Sequence, residues 1–447
     1  MIGTARALLR ALVLCLGLTV AWVQAAAAQT LIRDPDIEHA LRQLATPILN
    51  AAGLNPNRVQ VLLIQDSSLN AFVADAGHIM IHTGLMLKLD RAEELQAVLA
   101  HEAAHIANGH ITRRLSAMRA TNTLAGFGLL LSAAVAVASG SAEAGAGLAM
   151  GTGSTAMRLL FAHTRAEEAS ADQAALRYMA SAGVDPTAMG DVLEIFRGQE
   201  ALSIQHQDPY VLTHPLTRDR IRAVEGYATA DADRARDDPA ADYWFARAQG
   251  KLSAFIRAPG WTLRRVPRSD TTDVAVMQRA IAYHRVPDPD NALRLMRALL
   301  AARPNDAYLH ELHGQMLLES RQVQAAVGAY KRAVDLAPGH PLILASYGRA
   351  LVALGTEAGA RQALGPLEEA RARDARDPRM MRDLAVAYAR LGNTGMASLA
   401  TAERYALLGR LKDAAIHAKR AVGLLPTGSP GWNRAQDVLN AAKQAGQ

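Results

Sequence analysis

The sequence contains almost no cysteine: Cys15 is the single cysteine among 447 residues, and it lies near the N-terminus. Beyond that point, thiolates can supply neither the ligands of a zinc site nor a catalytic nucleophile. A chain without thiols also suits an oxidising compartment, because it cannot form wrong disulfides. Aromatic residues are scarce as well, at 4%, and long strand-like runs are few, whereas 50% of the residues are hydrophobic. This balance favours packed helices over extended sheet.

The charge of the chain does not identify a partner. The formal net charge is +6, but basic and acidic residues alternate almost everywhere. We interpret this pattern as a solvated mixed-charge surface and expect no nucleic-acid partner, while peripheral contact with a membrane stays open. A chain of 447 residues is too long for one ordinary core, so we expect two or three domains.

The first 28 residues have the pattern of a secretory signal peptide. Arg6 and Arg10 form a basic start, an apolar stretch runs from Ala11 to Val23, and small residues at 25–28 offer a cleavage site. We therefore expect an exported, periplasmic protein that begins near Gln29. An uncleaved membrane anchor is the alternative.

Two short segments have the pattern of strands, and a helix follows them. Residues 58–64 contain the β-rich run VQVLLI, and His78–His82 (HIMIH) alternates strictly. Asp90, with Glu93 three residues later, resembles a capping box at the start of a helix. We expect a small sheet beside that helix.

An apolar region rich in small residues follows, at 124–160. Its first segment, Leu124–Ser139, is shorter than the roughly 20 residues that span a bilayer. We expect a buried helix or one that covers the active site, with a membrane-inserted hairpin as the alternative.

The C-terminal half carries a repeat. Three pairs of residues are each separated by 34 positions: Pro304 and Pro338, Gly314 and Gly348, and Leu317 and Leu351. This is the period of the tetratricopeptide repeat, a unit of two antiparallel helices. Residues 330–338 recur loosely at 418–426, which is not a multiple of that period, so we expect an irregular array.

The sequence His101-Glu102-Ala-Ala-His105 is the strongest chemical signal. Two histidines four residues apart lie on one face of a helix and can bind the same zinc ion. From its position between them, Glu102 can accept the proton of a water that attacks a peptide carbonyl. The motif therefore predicts a zinc-dependent peptidase with Glu102 as its general base.

A catalytic zinc ion needs a third protein ligand. His110 lies about 140° round the helix from His105, so that helix cannot direct both side chains at one ion. Glu168 is the better candidate, with Glu167 as its rival. Because Glu168 and Asp172 share a helical face, Asp172 can orient a metal-bound histidine.

Four motifs in order carry a resemblance to a known family. They are HEAAH at 101–105, Glu168-x-x-x-Asp172, Thr213-His214-Pro215 and Asp219-Arg220-Ile221. Together they resemble the gluzincin metallopeptidases, the family that contains bacterial HtpX and the CAAX prenyl proteases. The added signal peptide and tetratricopeptide repeats are similar to the BepA-like periplasmic members of that family.

The resemblance implies a role for each residue of the site. It implies Glu168 as the third zinc ligand and His214 near the open metal position, as a fourth, self-inhibiting ligand. Arg220 would lie close by, where it would either stabilise an oxyanion or orient Glu168.

The resemblance also extends to a strand. Residues 70–73 followed by 78–85 resemble the segment with which the family binds substrate at a sheet edge. If this strand lies at an edge, it can pair with an extended substrate through its main chain. The predicted substrate-binding residues are His78, Ile79, Met80, Ile81 and His82.

We therefore expect a mainly α protein with a small β-sheet. It would comprise a signal peptide (1–28), a gluzincin-type metallopeptidase domain (29–228) and an α-solenoid of tetratricopeptide-like repeats (240–447). The predicted activity is zinc-dependent cleavage of misfolded or misassembled envelope proteins, with one zinc ion per chain. The repeats would dock substrates or the outer-membrane β-barrel assembly machinery. The alternatives are a chaperone or scaffold with a latent, self-inhibited zinc site, and an integral-membrane peptidase of the HtpX type.

Overall fold

The computed structural model describes residues 30–113, 164–199, 202 and 206–445. The predicted signal peptide and the apolar region at 124–160 lie outside these residues. Helices make up most of the described chain and one small sheet lies near its start, which confirms the predicted fold class. Within the described ranges, no helix combines the length and the hydropathy that a membrane crossing requires.

The N-terminal part of the chain contains the sheet. Its strands are β1 (Thr30–Ile32), β2 (Gln60–Gln65), β3 (Ala71–Asp75) and β4 (His78–His82). Its helices are α1 (Pro35–Ala51), α2 (Thr83–Lys88), α3 (Ala92–Ala107), α4 (Arg165–Ala182), α5 (Ala188–Ile195), α6 (Pro209–Thr213) and α7 (Arg218–Asp231).

The C-terminal part of the chain is helical throughout its described residues. Its helices are α8 (Pro239–Ile256), α9 (Pro259–Arg265), α10 (Asp273–Arg285), α11 (Pro289–Ala302), α12 (Ala307–Glu319), α13 (Val323–Leu336), α14 (Pro341–Ala353), α15 (Glu357–Arg373), α16 (Pro378–Arg390), α17 (Thr394–Leu407), α18 (Leu411–Leu424) and α19 (Pro430–Ala445).

The strands of the sheet have the order β1-β2-β4-β3. β4 pairs in parallel with β2, where Leu62 lies opposite Met80, and antiparallel with β3, where Phe72 lies opposite Met80. The prediction that His78–His82 binds substrate at a sheet edge is therefore wrong. The main chain of this strand is already used by ladder hydrogen bonds on both sides. Among the described strands, the edge on this side of the sheet is β3.

Both faces of the sheet are buried. Val61, Ile79 and Ile81 belong to the large core that the sheet shares with α1 and α3, whereas Leu62 and Met80 belong to a smaller cluster on the opposite face. Alternate residues of a strand point to opposite faces, so a strand buried on both faces is apolar at almost every position. Ile79, Met80 and Ile81 are therefore core residues.

Close packing explains why glycine recurs after 34 residues, at Gly314 and Gly348. A Cβ atom at Gly314 would lie 2.8 Å from the ring of Tyr330, and one at Gly348 would lie 2.4 Å from Leu367. At both positions the next helix packs directly against the glycine backbone. The equivalent residues of two successive units are thus constrained in the same way.

Helix α8 connects the two parts of the chain. Phe245 lies in the core of the N-terminal part, whereas Ala254 belongs to the first core cluster of the repeats. Arg247, which is buried on the same helix, donates hydrogen bonds to Asp36 on α1 at 2.8 Å and to Asp306 at 2.6 Å. Since α8 is shared by both cores, the predicted domain limits stay a prediction.

A second contact between the two parts involves the turn between α15 and α16. Arg33 donates to Asp374 at 2.7 Å, and Arg376 donates to Gln60 at 2.7 Å and contacts His78. Gln60 and His78 are the first residues of β2 and β4. The repeats therefore contact the sheet directly, and His78 takes part in that contact.

Candidate metal centre

Helix α3 carries the two histidines of the HEAAH motif. The side chains of His101 and His105 are buried, as is Glu102 between them. The spacing of four residues places the two imidazoles on one face of the helix. Their Nε2 atoms lie 3.1 Å apart.

Two later segments bring further donors to these histidines. Glu168 comes from the first turn of α4, and His214 directly follows α6. The Nδ1 atom of His214 lies 3.3 Å from Nε2 of His101 and 3.1 Å from Oε1 of Glu168. The same Oε1 lies 3.4 Å from Nε2 of His105. The structure thus places all four predicted ligand residues together.

The arrangement of these donors fits a zinc ion. One donor atom from each of the four residues lies within 4.8 Å of the others, and all four residues are buried. Four ligands placed tetrahedrally at about 2.0–2.1 Å from zinc lie about 3.3 Å from one another. The observed separations match that value, and imidazole nitrogen with carboxylate oxygen is a donor set that zinc prefers.

The rival ligand Glu167 has a different role. Its carboxylate accepts the main-chain N–H of Thr164 at 3.0 Å, while the Thr164 hydroxyl accepts from the N–H of Glu167 at 3.2 Å. The pair forms a capping box that starts α4. This cap fixes the first turn of the helix, in which Glu168 is the next residue.

Asp172 and Arg220 hold the ligands in place. Oδ1 of Asp172 lies 3.0 Å from Nδ1 of His101, the ring nitrogen that faces away from the other donors. Arg220 donates to both oxygens of Asp172, at 2.7 and 2.9 Å, and its Nη1 atom lies 2.8 Å from Glu168. Arg220 thus bridges two carboxylates. This geometry favours the orientation of Glu168 over contact with an oxyanion.

His110 contacts His105 on the side of the ring that faces away from the other donors. Its Nδ1 atom lies 2.8 Å from Nδ1 of His105, opposite the nitrogen that faces the other donors. His110 is therefore a neighbour of a ligand and lies outside the donor group, so it can fix the orientation of the His105 ring.

The carboxylate of Glu102 has few polar partners. Neither oxygen makes a hydrogen bond of normal geometry with a described residue. Nε2 of His214 lies 3.6 Å from Oε1, and the main chain of Val73 faces the group. Burial raises the pKa of Glu102, although the charges of His214 and His101 act in the opposite direction. A raised pKa makes this carboxylate a stronger base.

The two histidines of α3 differ in their electrostatic surroundings. Burial acts to lower the pKa of His101, but Asp172 and Glu168 outweigh it and raise that pKa to about 10. Burial lowers the pKa of His105 to about 3. The carboxylates of Asp172 and Glu168 therefore favour a positive charge at this end of the donor group.

Aromatic stacking positions His214. The rings of Tyr210 and His214 stack with centroids 4.6 Å apart, and Phe196 stacks on the other side of Tyr210 at 4.5 Å. Nε2 of His214 lies 3.3 Å from the carbonyl oxygen of Ala71. A hydrogen bond from this nitrogen to Ala71 fixes the tautomer in which Nδ1 carries the lone pair that a metal ion binds. Tyr210 and Phe196 escaped the sequence analysis because no motif identifies a stacking partner.

The edge strand β3 presents its main chain to the site. The N–H of His82 donates to the carbonyl of Asn70 at 2.9 Å, so Asn70 and, two residues on, Phe72 face β4. Ala71 and Val73 therefore direct their main-chain groups away from β4. The contact between Ala71 and His214 shows that this side of β3 borders the donor group.

Comparison with known protein families identifies the domain that contains these donors. Residues 32–228 match peptidase family M48. They form a peptidase family M48 domain. Residues 277–341 and 313–366 match the tetratricopeptide repeat, which confirms that prediction too. All four donors and Glu102 lie inside the M48 domain, and the predicted resemblance is confirmed.

Characterised relatives carry names that agree with this assignment. The chain is 26% identical to the beta-barrel assembly-enhancing protease of Escherichia coli K12 over 395 residues, which cover 86% of this chain and 78% of the relative. It is 26% identical over 181 residues to the mitochondrial metalloendopeptidase OMA1 of Schizosaccharomyces pombe, covering 40% of this chain and 49% of the relative. The M48 domain is thus that of a metalloendopeptidase, as predicted.

One solved structure is similar to part of the chain. A thermophilic tetratricopeptide-repeat protein of Thermus thermophilus is 20% identical, and the match covers 38% of this chain and 100% of that protein with a TM-score of 0.26.

Proposed function

We propose that this chain is an exported zinc endopeptidase that cleaves misfolded or misassembled envelope proteins during outer-membrane β-barrel assembly. The observation that carries the proposal is the buried group of four donors with the carboxylate of Glu102 beside it. The name of the Escherichia coli relative supports the link to β-barrel assembly. The predicted signal peptide supports a periplasmic location.

In this proposal His101, His105 and Glu168 hold one zinc ion. When bound, zinc polarises the scissile carbonyl and lowers the pKa of the attacking water. Glu102 accepts the proton of that water and delivers it to the leaving amine. Its burial and raised pKa suit this role. Asp172 and Arg220 are positioning residues, since they contact the ligands and not the reacting atoms.

The substrate binds as an extended strand beside β3. Ala71 and Val73 direct main-chain groups away from β4, next to His214 and Glu102. Both strand residues are buried in this structure, so His214 has to move before a substrate strand can pair with them. Main-chain hydrogen bonds to an edge strand give affinity without strong sequence preference. An enzyme that removes many different misfolded proteins needs this kind of recognition.

His214 regulates access to the metal. Its Nδ1 atom would be the fourth donor to the ion beside His101, His105 and Glu168, so this side chain would have to move before a substrate carbonyl and an attacking water could approach. The same observation favours a second candidate function, a chaperone or scaffold with a latent zinc site. The two functions differ in whether hydrolysis is needed in the cell.

We also propose that the mature chain comprises the predicted domains at 29–228 and 240–447, and that its repeats dock substrates or the β-barrel assembly machinery. Tetratricopeptide repeats stack into extended surfaces that bind peptides and proteins.

The test is Glu102→Gln, with Glu93→Gln on the same helix as the matched control. We expect Glu102→Gln to retain one zinc ion per chain and to reduce casein hydrolysis by about 10²–10⁴-fold, the usual contribution of a general base. Glu93→Gln should retain activity. A zinc-loaded Glu102→Gln protein with wild-type hydrolysis would refute the assigned role. If this variant instead replaces the wild type fully in the cell, the scaffold function is correct.

A further inference from the structure

Helix α9 and the ends of its two neighbours form a basic face. It consists of Arg257, Arg264, Arg265, Arg268 and Arg285. No aspartate or glutamate occurs between Asp242 and Asp270 in the sequence. None of the five arginines forms an ion pair with a carboxylate of the described chain, whereas Arg33, Arg220 and Arg247 all do.

Direct contacts connect Arg257, Arg268 and Arg285 to neighbouring elements, and Arg264 and Arg265 are both exposed in the last turn of α9. Nη1 of Arg285 donates to the carbonyl of Ala254 at 2.9 Å and also to that of Arg257. The guanidinium of Arg257 lies over the ring of Trp261 on α9, 4.4 Å from its centroid. Nη2 of Arg268 lies 3.4 Å from the hydroxyl of Tyr283, near the end of α10. The ends of α8 and α10 therefore join α9 in a single surface.

The carboxylates nearest in sequence are engaged elsewhere. Asp270 accepts the N–H and the hydroxyl of Thr272 at 3.0 and 2.7 Å, and Asp288 caps α11 by accepting from Asn291. Asp290, in the first turn of α11, is the first exposed carboxylate that follows in the chain. Intramolecular pairing thus leaves the basic face available for an anionic partner.

Apolar side chains lie within the same surface. Ile256 is 37% exposed and Val286 is 43% exposed, and each is the sequence neighbour of an arginine of the basic face. The half-buried Trp261 lies under the guanidinium of Arg257. A peptide of acidic residues only would pair with the arginines but would leave these apolar side chains without a partner. A lipid interface offers anionic groups and an apolar layer side by side, which matches both kinds of side chain.

We propose that the basic face docks on an anionic phospholipid bilayer. The arginines contact lipid phosphates, while Ile256, Val286 and Trp261 enter the boundary of the acyl chains. Docking through α9 fixes the first repeats at the membrane surface. The surface is separate from the residues that hold the metal, so docking does not depend on the proposed peptidase activity.

The experiment measures binding of the full mature chain to vesicles of phosphatidylcholine with and without phosphatidylglycerol. The test variant is Arg264→Glu/Arg265→Glu. The matched control is Lys419→Glu/Arg420→Glu on α18, which has the same change in charge, an adjacent exposed pair and the exposed Ile416 nearby. Melting temperatures verify that both variants fold, and soluble polyglutamate is the competing ligand.

We expect the wild type to bind only vesicles that contain phosphatidylglycerol. Each basic residue near an anionic surface increases the affinity about fivefold. The affinity of the test variant for these vesicles should therefore be at least about 30-fold lower than that of the wild type. The control should stay within about twofold of the wild type, since its changes lie outside the basic face. Three results overturn the proposal: no binding of wild type to anionic vesicles, equal losses in both variants, or binding to polyglutamate but not to vesicles.

Discussion

The replacement Asp172→Asn tests how the ligand group is held together. It preserves the shape of the side chain but removes its charge and turns one oxygen into a donor. In the wild type, Oδ1 lies 3.0 Å from Nδ1 of His101 and accepts from Arg220 at 2.9 Å, while Oδ2 accepts from Arg220 at 2.7 Å. The asparagine oxygen can replace only one of these two acceptors. In either orientation its amino group faces a donor.

The size of the effect follows from these contacts. At least one buried hydrogen bond to a charged group is lost, which destabilises the fold by about 1.5–3 kcal/mol. Arg220 keeps its contacts with Glu168 and with the carbonyl of Pro215, both at 2.8 Å, so its charge does not become unpaired. The His101 ring loses the carboxylate that orients it. A change of this kind typically weakens metal binding by about 10–100-fold.

Zinc affinity is measured by competition with a chromophoric chelator, and stability by urea unfolding of the zinc-free protein. Asp219→Asn is the matched control, because Asp219 lies next to Arg220 on α7 and its side chain is 95% exposed. We expect this control to match the wild type in both measurements. If Asp172→Asn binds zinc as tightly as Asp219→Asn does, Asp172 does not orient the ligand and our account of the site is wrong.

Two further predictions concern the repeats. Burial raises the pKa of Glu311 to about 7, with Lys251 acting in the opposite direction. A carboxyl group whose pKa is raised in the folded state destabilises the fold increasingly as pH rises from its unfolded value of about 4.3 to about 7. Glu311→Gln should therefore gain unfolding free energy over the wild type at pH 8 but not at pH 4, by at most about 4 kcal/mol; an equal difference at both pH values contradicts this. Gly348→Ala should lower the unfolding free energy by about 1–3 kcal/mol, because the new Cβ atom would meet Leu367 at 2.4 Å. Gly365→Ala, which has no neighbour within 4 Å, should be neutral or stabilising, and equal urea midpoints for both alanine variants would show that the two helices adjust freely.

The predictions that rest on local sequence patterns were the reliable ones. The spacing of His101 and His105 predicts a shared helical face whatever surrounds the helix, and the structure shows that face. The 34-residue period likewise predicts the helical repeats, since each repeat contacts mainly its neighbours. The structure then shows that Gly314 and Gly348 are packed alike in successive units. Details at the ends of elements were less predictable. Asp90 and Glu93 predict a capping box, but α3 begins at Ala92 and Glu94 accepts the N–H of Asp90 at 2.8 Å.

The order of the strands could not be read from the sequence. The alternation in His78–His82 predicts a strand correctly but does not show whether that strand lies inside the sheet or at its edge. The answer depends on pairing with residues 60–64 and 71–75, which lie elsewhere in the chain. An edge strand and an inner strand have the same period of two, so only the tertiary pairing distinguishes them.

By itself, the sequence determined the residue types of the metal centre, the turn of helix that presents two of its ligands and the helical repeats, since each rests on contacts a few residues apart. The sequence favoured Glu168 over Glu167, and the tertiary structure decided between them. The tertiary structure alone decided that Tyr210 and Phe196 support His214 and that β3 borders the site. These outcomes depend on segments separated by tens of residues along the chain. The packing of the whole core brings these segments together, and the sequence of one segment does not show how that core packs.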